Sequence, residues 1–321
     1  MGVLGCAAIA DRSVIPAMRR SEDVRLVAVA SRDSTKAAAF AARHDTEACS
    51  YEELLARDDV EAVYVPLPVG LHYAWGVRVL DAGKHLLLEK TFTERHQQAL
   101  DLLARAAQRG LFVMEGLMYR FHPAHAEVRA LVRGGAIGEL RHIDAHFTMP
   151  LLPPSDIRRQ LDLGGGASLD SLVYPLSLCL ELMGGPPSRT DVSMFQDETG
   201  VDVRGAAQLA WGAATAHIVY GMGFPYRNVC NIWGSDGSLS LERAFTRPPD
   251  MPAELIIRTG SGARTINVPA ADHFQAMLAH FAARVRGEAA ASPAEADELL
   301  QRMDWIERLR RQGGILRGGH G

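Results

Sequence analysis

Two places in this chain set side chains that polarise a carbonyl or move a proton. The first is Lys84-His85-Leu86-Leu87-Leu88-Glu89-Lys90-Thr91. Its three leucines, framed by Gly83 and a polar turn from Thr91, read as a short buried strand of a parallel sheet. Open α/β sheets gather ligands at the carboxyl ends of their strands, and this strand ends there on Glu89 and Lys90. A lysine so placed offers a positive charge or a proton to a polar substrate; the plainer alternative is a surface Glu-Lys pair opening a loop. The second place is Gly164-Gly165-Gly166-Ala167-Ser168-Leu169-Asp170-Ser171-Leu172-Val173-Tyr174-Pro175. Three glycines open a helix whose first amides are expected to be free for an anion or a polar ligand. Asp170 and Tyr174, four apart, share one face of that helix. A tyrosine can protonate the alkoxide formed by hydride transfer if a nearby cation moderates its pKa, and Lys90 is the candidate cation. The same spacing also suits a core tyrosine and an ordinary helix acid.

Elements must hold these residues in place. The first third alternates short apolar runs (residues 2–5, 25–30, 62–66, 85–89 and 111–114) with helix-like segments (14–20, 35–44, 51–57, 71–82 and 94–108). This alternation, with short connections, predicts a Rossmann domain, a doubly wound parallel sheet, over residues 1–118. Residues 119–321 are expected to form an α+β domain. A helix is expected over 124–133 and a strand over 140–149, and the pattern turns β-rich from 192 to 268. Asp236-Gly237 and Gly260-Ser261-Gly262 mark hairpin turns, so a large, mostly antiparallel sheet is expected, one face under a helix over 166–183. Two further helices are expected over 272–286 and 293–311. Ser292 would cap the second and Gly313-Gly314 would end it, leaving residues 318–321 disordered.

At 47% hydrophobic and 22% charged, the 321 residues supply ordinary cores for two domains. A net charge of −4 with both signs interspersed leaves no basic footprint, which argues against nucleic acid and anionic membranes as partners. No run approaches the roughly 18 apolar residues of a spanning helix. The chain opens directly in an apolar strand without the charged and longer apolar regions of a secretory leader. Cys6, Cys49, Cys179 and Cys230 lie far apart with no CxxC pair. A reduced, cytoplasmic protein is therefore expected. No metal-ligating set is assigned.

The first turn, Gly5-Cys6-Ala7-Ala8-Ile9-Ala10, is a degenerate dinucleotide fingerprint of the form G-x-A-x-x-A. Gly5 allows the tight turn, Ala7 lets the backbone approach a pyrophosphate, and Ala10 lets the next helix pack close to the sheet. The second strand ends in Ser31-Arg32-Asp33. A hydroxyl followed by arginine suits a 2′-phosphate where NAD-binding units usually place an acid, and Arg32 could also stack on the adenine. Asp33 or Ser34 is better placed to cap the next helix. NADP is therefore expected over NAD, with a solvated loop arginine as the alternative for Arg32. Further on, Pro66-Leu67-Pro68 shapes a rigid shelf beside the nucleotide, and His72 begins the following helix, where an isolated histidine is more often a packed polar residue than a catalyst.

Taken together, these pieces resemble the glucose-fructose oxidoreductase/inositol dehydrogenase/rhizopine catabolism family of NAD(P)-dependent sugar dehydrogenases. The resemblance runs through Gly5-Cys6-Ala7 with Ile9-Ala10, Ser31-Arg32, Pro66-Leu67-Pro68 to His72, and Ala82-Gly83-Lys84-His85 into Glu89-Lys90. It implies cofactor contacts at those positions, Glu89 and Lys90 included, and catalysis by Lys90. It also implies an Asp and a His or Tyr four residues on, lining the substrate pocket, here Asp170 and Tyr174. The tyrosine form, with Asp156-Ile157-Arg158 upstream and Tyr174-Pro175, looks most like nucleotide-sugar 3-ketoreductases of deoxysugar biosynthesis. Thr91 replaces the family's usual proline, Val69 stands where asparagine is common, and Leu172 stands where glycine is common. The resemblance implies dimerisation through the sheet face opposite the helix, hence a homodimer or homotetramer.

The expected activity is NADPH-dependent reduction of a ketosugar, a TDP-linked 3-keto-deoxyhexose. Tyr174 would protonate the oxygen, Lys90 would polarise it, and Asp170 would hold a sugar hydroxyl or orient the pair. Arg158 would meet the substrate or its diphosphate, unless it simply pairs with a neighbouring acid. One alternative is an NADP-dependent dehydrogenase of a free sugar or a trans-dihydrodiol. Another is a non-catalytic cofactor-binding regulator, which would have no need of both Lys90 and Tyr174.

Overall fold

A computed structural model describes residues 1–288 and 293–317. Among these residues the strands form two sheets. The first holds β1 (Gly2–Leu4), β2 (Ala28–Ala30), β3 (Glu47–Cys49), β4 (Ala62–Val65), β5 (His85–Glu89) and β6 (Val113–Gly116), in the order β3-β2-β1-β4-β5-β6. Every pairing in it is parallel. This is the doubly wound order whose crevice lies where the strand sequence reverses, beside β1. The strands β1, β2 and β4 are buried along their whole length, as is the leucine run of β5. Each of those three leucines contributes about 1.5–3 kcal/mol through burial. That unbroken apolar character is the signal the sequence carries.

Two details of this sheet escape the sequence. Strand β3, Glu-Ala-Cys, lies at the edge with its residues largely open and no β-branched side chain, so neither period nor propensity marks it. The helix after β1 also starts earlier than residue 14. The chain winds from Ala8 and passes through a π-helical turn over Ala10–Val14 into Ile15–Arg20. The run Ala7-Ala8-Ile9-Ala10 reads as loop only because small residues show no amphipathic period.

The second sheet has nine strands: β7 (Leu140–Met149), β8 (Arg189–Gln196), β9 (Asp202–Trp211), β10 (Ala214–Met222), β11 (Arg227–Gly234), β12 (Gly237–Glu242), β13 (Ala253–Thr259), β14 (Gly262–Val268) and β15 (Gly314–Arg317). Their order is β14-β13-β12-β11-β7-β10-β9-β8-β15, antiparallel except for β7 with β10 and β8 with β15. Both expected hairpins form. Ile143, Ala145 and Phe147 of β7 are buried on the face where helix Val173–Met183 packs, while His142, Asp144 and His146 alternate to the other face. The expected helix over 166–183 is two pieces, Ala167–Asp170 and Val173–Met183. Ser171 and Leu172 keep roughly helical dihedrals between them.

The chain divides into two compact units, Met1–Met118 with His273–Leu300, and Tyr119–Asp272 with Gln301–Gly321. The segment from His273, which the sequence reading gave to the second domain, packs with the first. Helix His273–Val285 lies on helix Ile15–Arg20, Phe281 meets Phe112 with ring centroids 5.6 Å apart, and Arg284 lies over Phe112. After helix Pro293–Gln312 ends, Gly314–Arg317 pairs parallel to β8, a strand the sequence does not signal. The expected cap Ser292 and residues 318–321 lie outside the described residues.

Candidate functional site

In the first unit the fingerprint turn is built by close approach. Gly5 has φ +128, and a Cβ there would meet the Leu67 side chain at 2.8 Å. Only glycine combines that dihedral with that contact. The Gly5 amide donates to Ala30 O at 2.9 Å, tying the turn to the end of β2. Ala10 is fully buried, while Cys6, Ala7 and Ile9 are half-buried along the turn. The Cys6 thiol is pushed up by burial, and Lys36 and Arg43 pull it back. Lys36 is thus a cation beside the turn that sequence reasoning passed over, because it sits inside the next helix rather than in the motif.

At the end of β2, Ser31 is buried and its Oγ accepts from Asp33 N. Asp33 caps the following helix by accepting from Lys36 N at 3.0 Å, as its position predicts. Arg32 is exposed and makes no ion pair among the described residues. An acid committed to a cap and an arginine left open suit a 2′-phosphate better than a bare 2′-hydroxyl.

Pro66 is buried, and Leu67 holds Gly5 with its side chain and His72 with its carbonyl. His72 has no exposed surface; Nε2 lies 2.7 Å from Leu67 O, and Nδ1 lies 2.9 Å from Thr91 O and 3.2 Å from Phe92 O. Burial lowers its pKa while these carbonyls pull the other way. With both nitrogens committed, His72 does not offer the cofactor contact expected of it. It braces the shelf against the segment carrying Lys90.

That segment leaves β5 through Glu89. Glu89 is buried, accepts from the Tyr64 hydroxyl at 2.7 Å and from the Lys90 amide at 3.0 Å. Burial nevertheless raises its pKa, the hydroxyl and the Lys90 charge opposing. The Lys90–Thr91 peptide is cis, and Phe92 N donates to Glu115 Oε1 at 2.9 Å. Lys84, at the other end of the same strand, spends its ammonium on Arg57 O and Val60 O at 2.6 and 2.7 Å. Lys90 alone of the two stands at the sheet's carboxyl end, half-buried.

In the second unit Tyr174 is 4% exposed and ringed by aromatics. Phe147 meets it edge-on at 4.8 Å, and Tyr119 and Phe245 lie with centroids 6.0 Å away. These three were not foreseen; Phe147 alone left a trace, on the inward alternation of β7. Arg158 is clamped by Asp156, Nε to Oδ1 and Nη2 to Oδ2 both at 2.9 Å. Its pKa is raised first by that carboxylate, against burial, and then by Asp170 and Tyr174. The three expected substrate residues therefore share one electrostatic neighbourhood.

The glycine turn corrects another expectation. The amides of Gly164, Gly165 and Gly166 already donate to Leu161 O, Gln160 O and Arg158 O. Ser168 N donates to the buried carboxylate of Asp202 at 2.7 Å. They offer no open anion cradle. Gly166 is glycine because its φ is +132 and a Cβ would strike Asp202. Burial raises the pKa of Asp202 to about 6, the Ser168 amide and hydroxyl opposing.

A doubly wound parallel sheet with a small-residue turn after β1, and a lysine at the mouth of β5, define a dinucleotide-dependent oxidoreductase. Residues 1–117 match the model of the GFO/IDH/MocA oxidoreductase family with its NAD-binding Rossmann fold, and residues 125–240 match that family's C-terminal domain. The chain belongs to this family. It is 39% identical over 317 residues to a dTDP-3,4-didehydro-2,6-dideoxy-alpha-D-glucose 3-reductase of Saccharopolyspora spinosa, covering 96% of both chains. It is 33% identical over 288 residues to an NADP(+)-dependent D-xylose 1-dehydrogenase of Haloferax volcanii, covering 88% of each. A crystal structure of a 3-ketoreductase from Actinomadura kijaniata, with NADP and TDP-benzene, superposes with a TM-score of 0.95 at 36% identity, covering 99% of this chain and 98% of that one. Among the described residues no helix is long and apolar enough to cross a membrane.

Proposed function

We propose that this oxidoreductase reduces the C3 ketone of a TDP-linked keto-deoxyhexose with NADPH, in deoxysugar biosynthesis. The observation that carries this reading is near-complete coverage by a relative named for that reaction, with a lysine at the mouth of β5 and a tyrosine after the glycine turn both present in this chain. Crystals of the Actinomadura enzyme include variants of one lysine and one tyrosine, spaced along its chain as Lys90 and Tyr174 are here.

NADPH, when bound, supplies the hydride to the carbonyl carbon. The Gly5–Ala10 turn would hold its pyrophosphate and Arg32 its 2′-phosphate. Lys90 polarises the carbonyl, and Tyr174 delivers the proton to the oxygen as it becomes an alkoxide, drawing a replacement from solvent. The Arg158 cation, fixed by Asp156, favours the tyrosinate left behind. Asp170 holds a sugar hydroxyl. With the glycine amides occupied, recognition of the diphosphate falls to side chains, Arg158 first among them. The reading extends to a cytoplasmic homo-oligomer formed through the second sheet, supported by four unpaired cysteines and by the half-open sheet face around His142, Asp144 and His146.

The second reading, NADP-dependent oxidation of a free sugar, is favoured by the Haloferax relative. Following NADPH consumption with a TDP-3-keto-deoxyhexose, beside NADP reduction with D-xylose, separates the two. Turnover of xylose with no response to the nucleotide sugar would replace the first reading by the second. Calorimetry of TDP against the NADP-loaded enzyme gives an independent answer, with saturable binding expected.

A further inference from the structure

On the open face of the second sheet, three side chains converge that the reductase chemistry does not use. Asp144 and His146 lie two apart on β7, so they share a face, and His217 of β10 is the direct register partner of Asp144. His146 Nε2 lies 2.9 Å from Asp144 Oδ1, and His217 Nδ1 lies 3.1 Å from the same oxygen. The candidate ligand atoms all fall within 4.8 Å of one another. The imidazole planes stand at 89°. In the single chain the side chains are 20–33% exposed, so an ion can enter before a second copy covers this face. Sequence reading missed the set because His217 is far along the chain from the other two.

We propose that Asp144, His146 and His217 form a divalent transition-metal site, taking zinc, with water completing the coordination. Two imidazoles and a carboxylate are the donors zinc accepts, and ligands about 2.1 Å from a tetrahedral zinc lie roughly 3.4 Å apart. The two hydrogen-bonded separations need only open slightly. Each imidazole gives the metal the nitrogen that now faces Asp144, its proton moving to the other ring nitrogen. The ligands hang on β7 and β10, interior strands of the sheet, so little ordering is required on binding. Nearby His142 is already bound to Thr215 Oγ1 at 2.7 Å and packs on Trp233, which makes it a control rather than a ligand.

The test uses the full chain, freed of any affinity tag and dialysed against chelator, titrated with Zn²⁺ by calorimetry and with Co²⁺ by visible absorption. One equivalent per chain is expected, with d–d bands of a low-symmetry cobalt site. Losing even an outer-shell partner costs about 10- to 100-fold in affinity, so His217→Ala and Asp144→Asn should each weaken binding by more than that. His142→Ala should leave it unchanged. NADPH binding and circular dichroism, unaltered in all three, show that the variants are folded. Absence of saturable binding in the wild type, or wild-type affinity in His217→Ala, overturns the assignment. Sedimentation reads association separately, so the metal site and the oligomer can fail independently.

Discussion

The two units put their chemistry in different kinds of place. In the first, most candidate residues stand on turns at the carboxyl ends of parallel strands: Gly5 after β1, Ser31 and Arg32 after β2, Pro66 and Leu67 after β4, Lys90 after β5. In the second, Tyr174 stands in a buried helix over a mixed sheet, and its surroundings come from Tyr119, Phe147 and Phe245, distant in the chain. A turn presents backbone amides and so suits the pyrophosphate of a dinucleotide. A helix face presents side chains, which can be exchanged to suit different sugars. Substitutions in the first unit should therefore disturb cofactor choice, and those in the second the proton and the substrate.

The largest effect is expected at the helix. General acid catalysis contributes about 10²- to 10⁴-fold, so Tyr174→Phe should lower single-turnover hydride transfer by that factor while NADPH affinity holds. A loss well below a hundredfold would mean that water or a sugar hydroxyl delivers the proton. Lys90→Met is expected to fall in the same range; full activity in both variants would remove the pair from the mechanism.

Next comes the carboxylate beneath the glycine turn. Asp202 titrates at about 6 in the fold against 3.8 as its ordinary value, so the native state holds its proton more tightly than the unfolded chain. Its contribution is complete below about pH 4 and is lost as pH rises to about 6, a change of at most about 3 kcal/mol. Asp202→Asn keeps an acceptor for Ser168 N and cannot titrate. Urea denaturation across this range should show wild-type stability falling relative to the variant. Parallel curves would contradict the buried charge.

In the first unit, Arg32→Ala should cost NADPH the charge-assisted bonds worth about 1.5–3 kcal/mol, roughly 10- to 150-fold in affinity. NADH should be little affected. Equal affinities for the two cofactors in the wild type would end this reading of Ser31-Arg32. The smallest effect is expected from Arg158→Ala, less than about tenfold and mostly in KM, the mark of uniform binding. A loss confined to kcat would remove Arg158 from diphosphate recognition and leave it only its role beside the Tyr174 tyrosinate.

Legibility followed the same division. Strands buried on both faces, such as Leu86-Leu87-Leu88, announce themselves as unbroken apolar runs, and the turns after them carry small residues or prolines at fixed offsets. Position accordingly singles out Lys90, Arg32 and Gly5 as candidates. Spacing from Asp170 and resemblance single out Tyr174 as a candidate, but nothing local marks Asp202, whose partner Ser168 lies 34 residues back in the chain. The glycine amides were misread for a related reason. A Gly-Gly-Gly run looks open in sequence, and only the fold shows Arg158 and Gln160 turning their carbonyls onto it. His72 lies one turn into helix Val69–Asp81 rather than at its start, and the packed role its isolation suggests depends on the carbonyls of Leu67, Thr91 and Phe92.

Helix His273–Val285, packed on Ile15–Arg20 with Phe281 against Phe112, bears on how such proteins can be recombined. A chimera that joins residues 1–118 of this chain to the remainder of a relative would import a foreign partner for Phe112 and for the helix after β1. The nucleotide-binding half is not a cassette with one seam. Crossovers chosen by inheritance of contacts would carry residues 273–300 along with the amino-terminal part, exchanging the intervening stretch that holds Tyr174. Libraries built that way would vary the sugar pocket while leaving the cofactor's own packing intact.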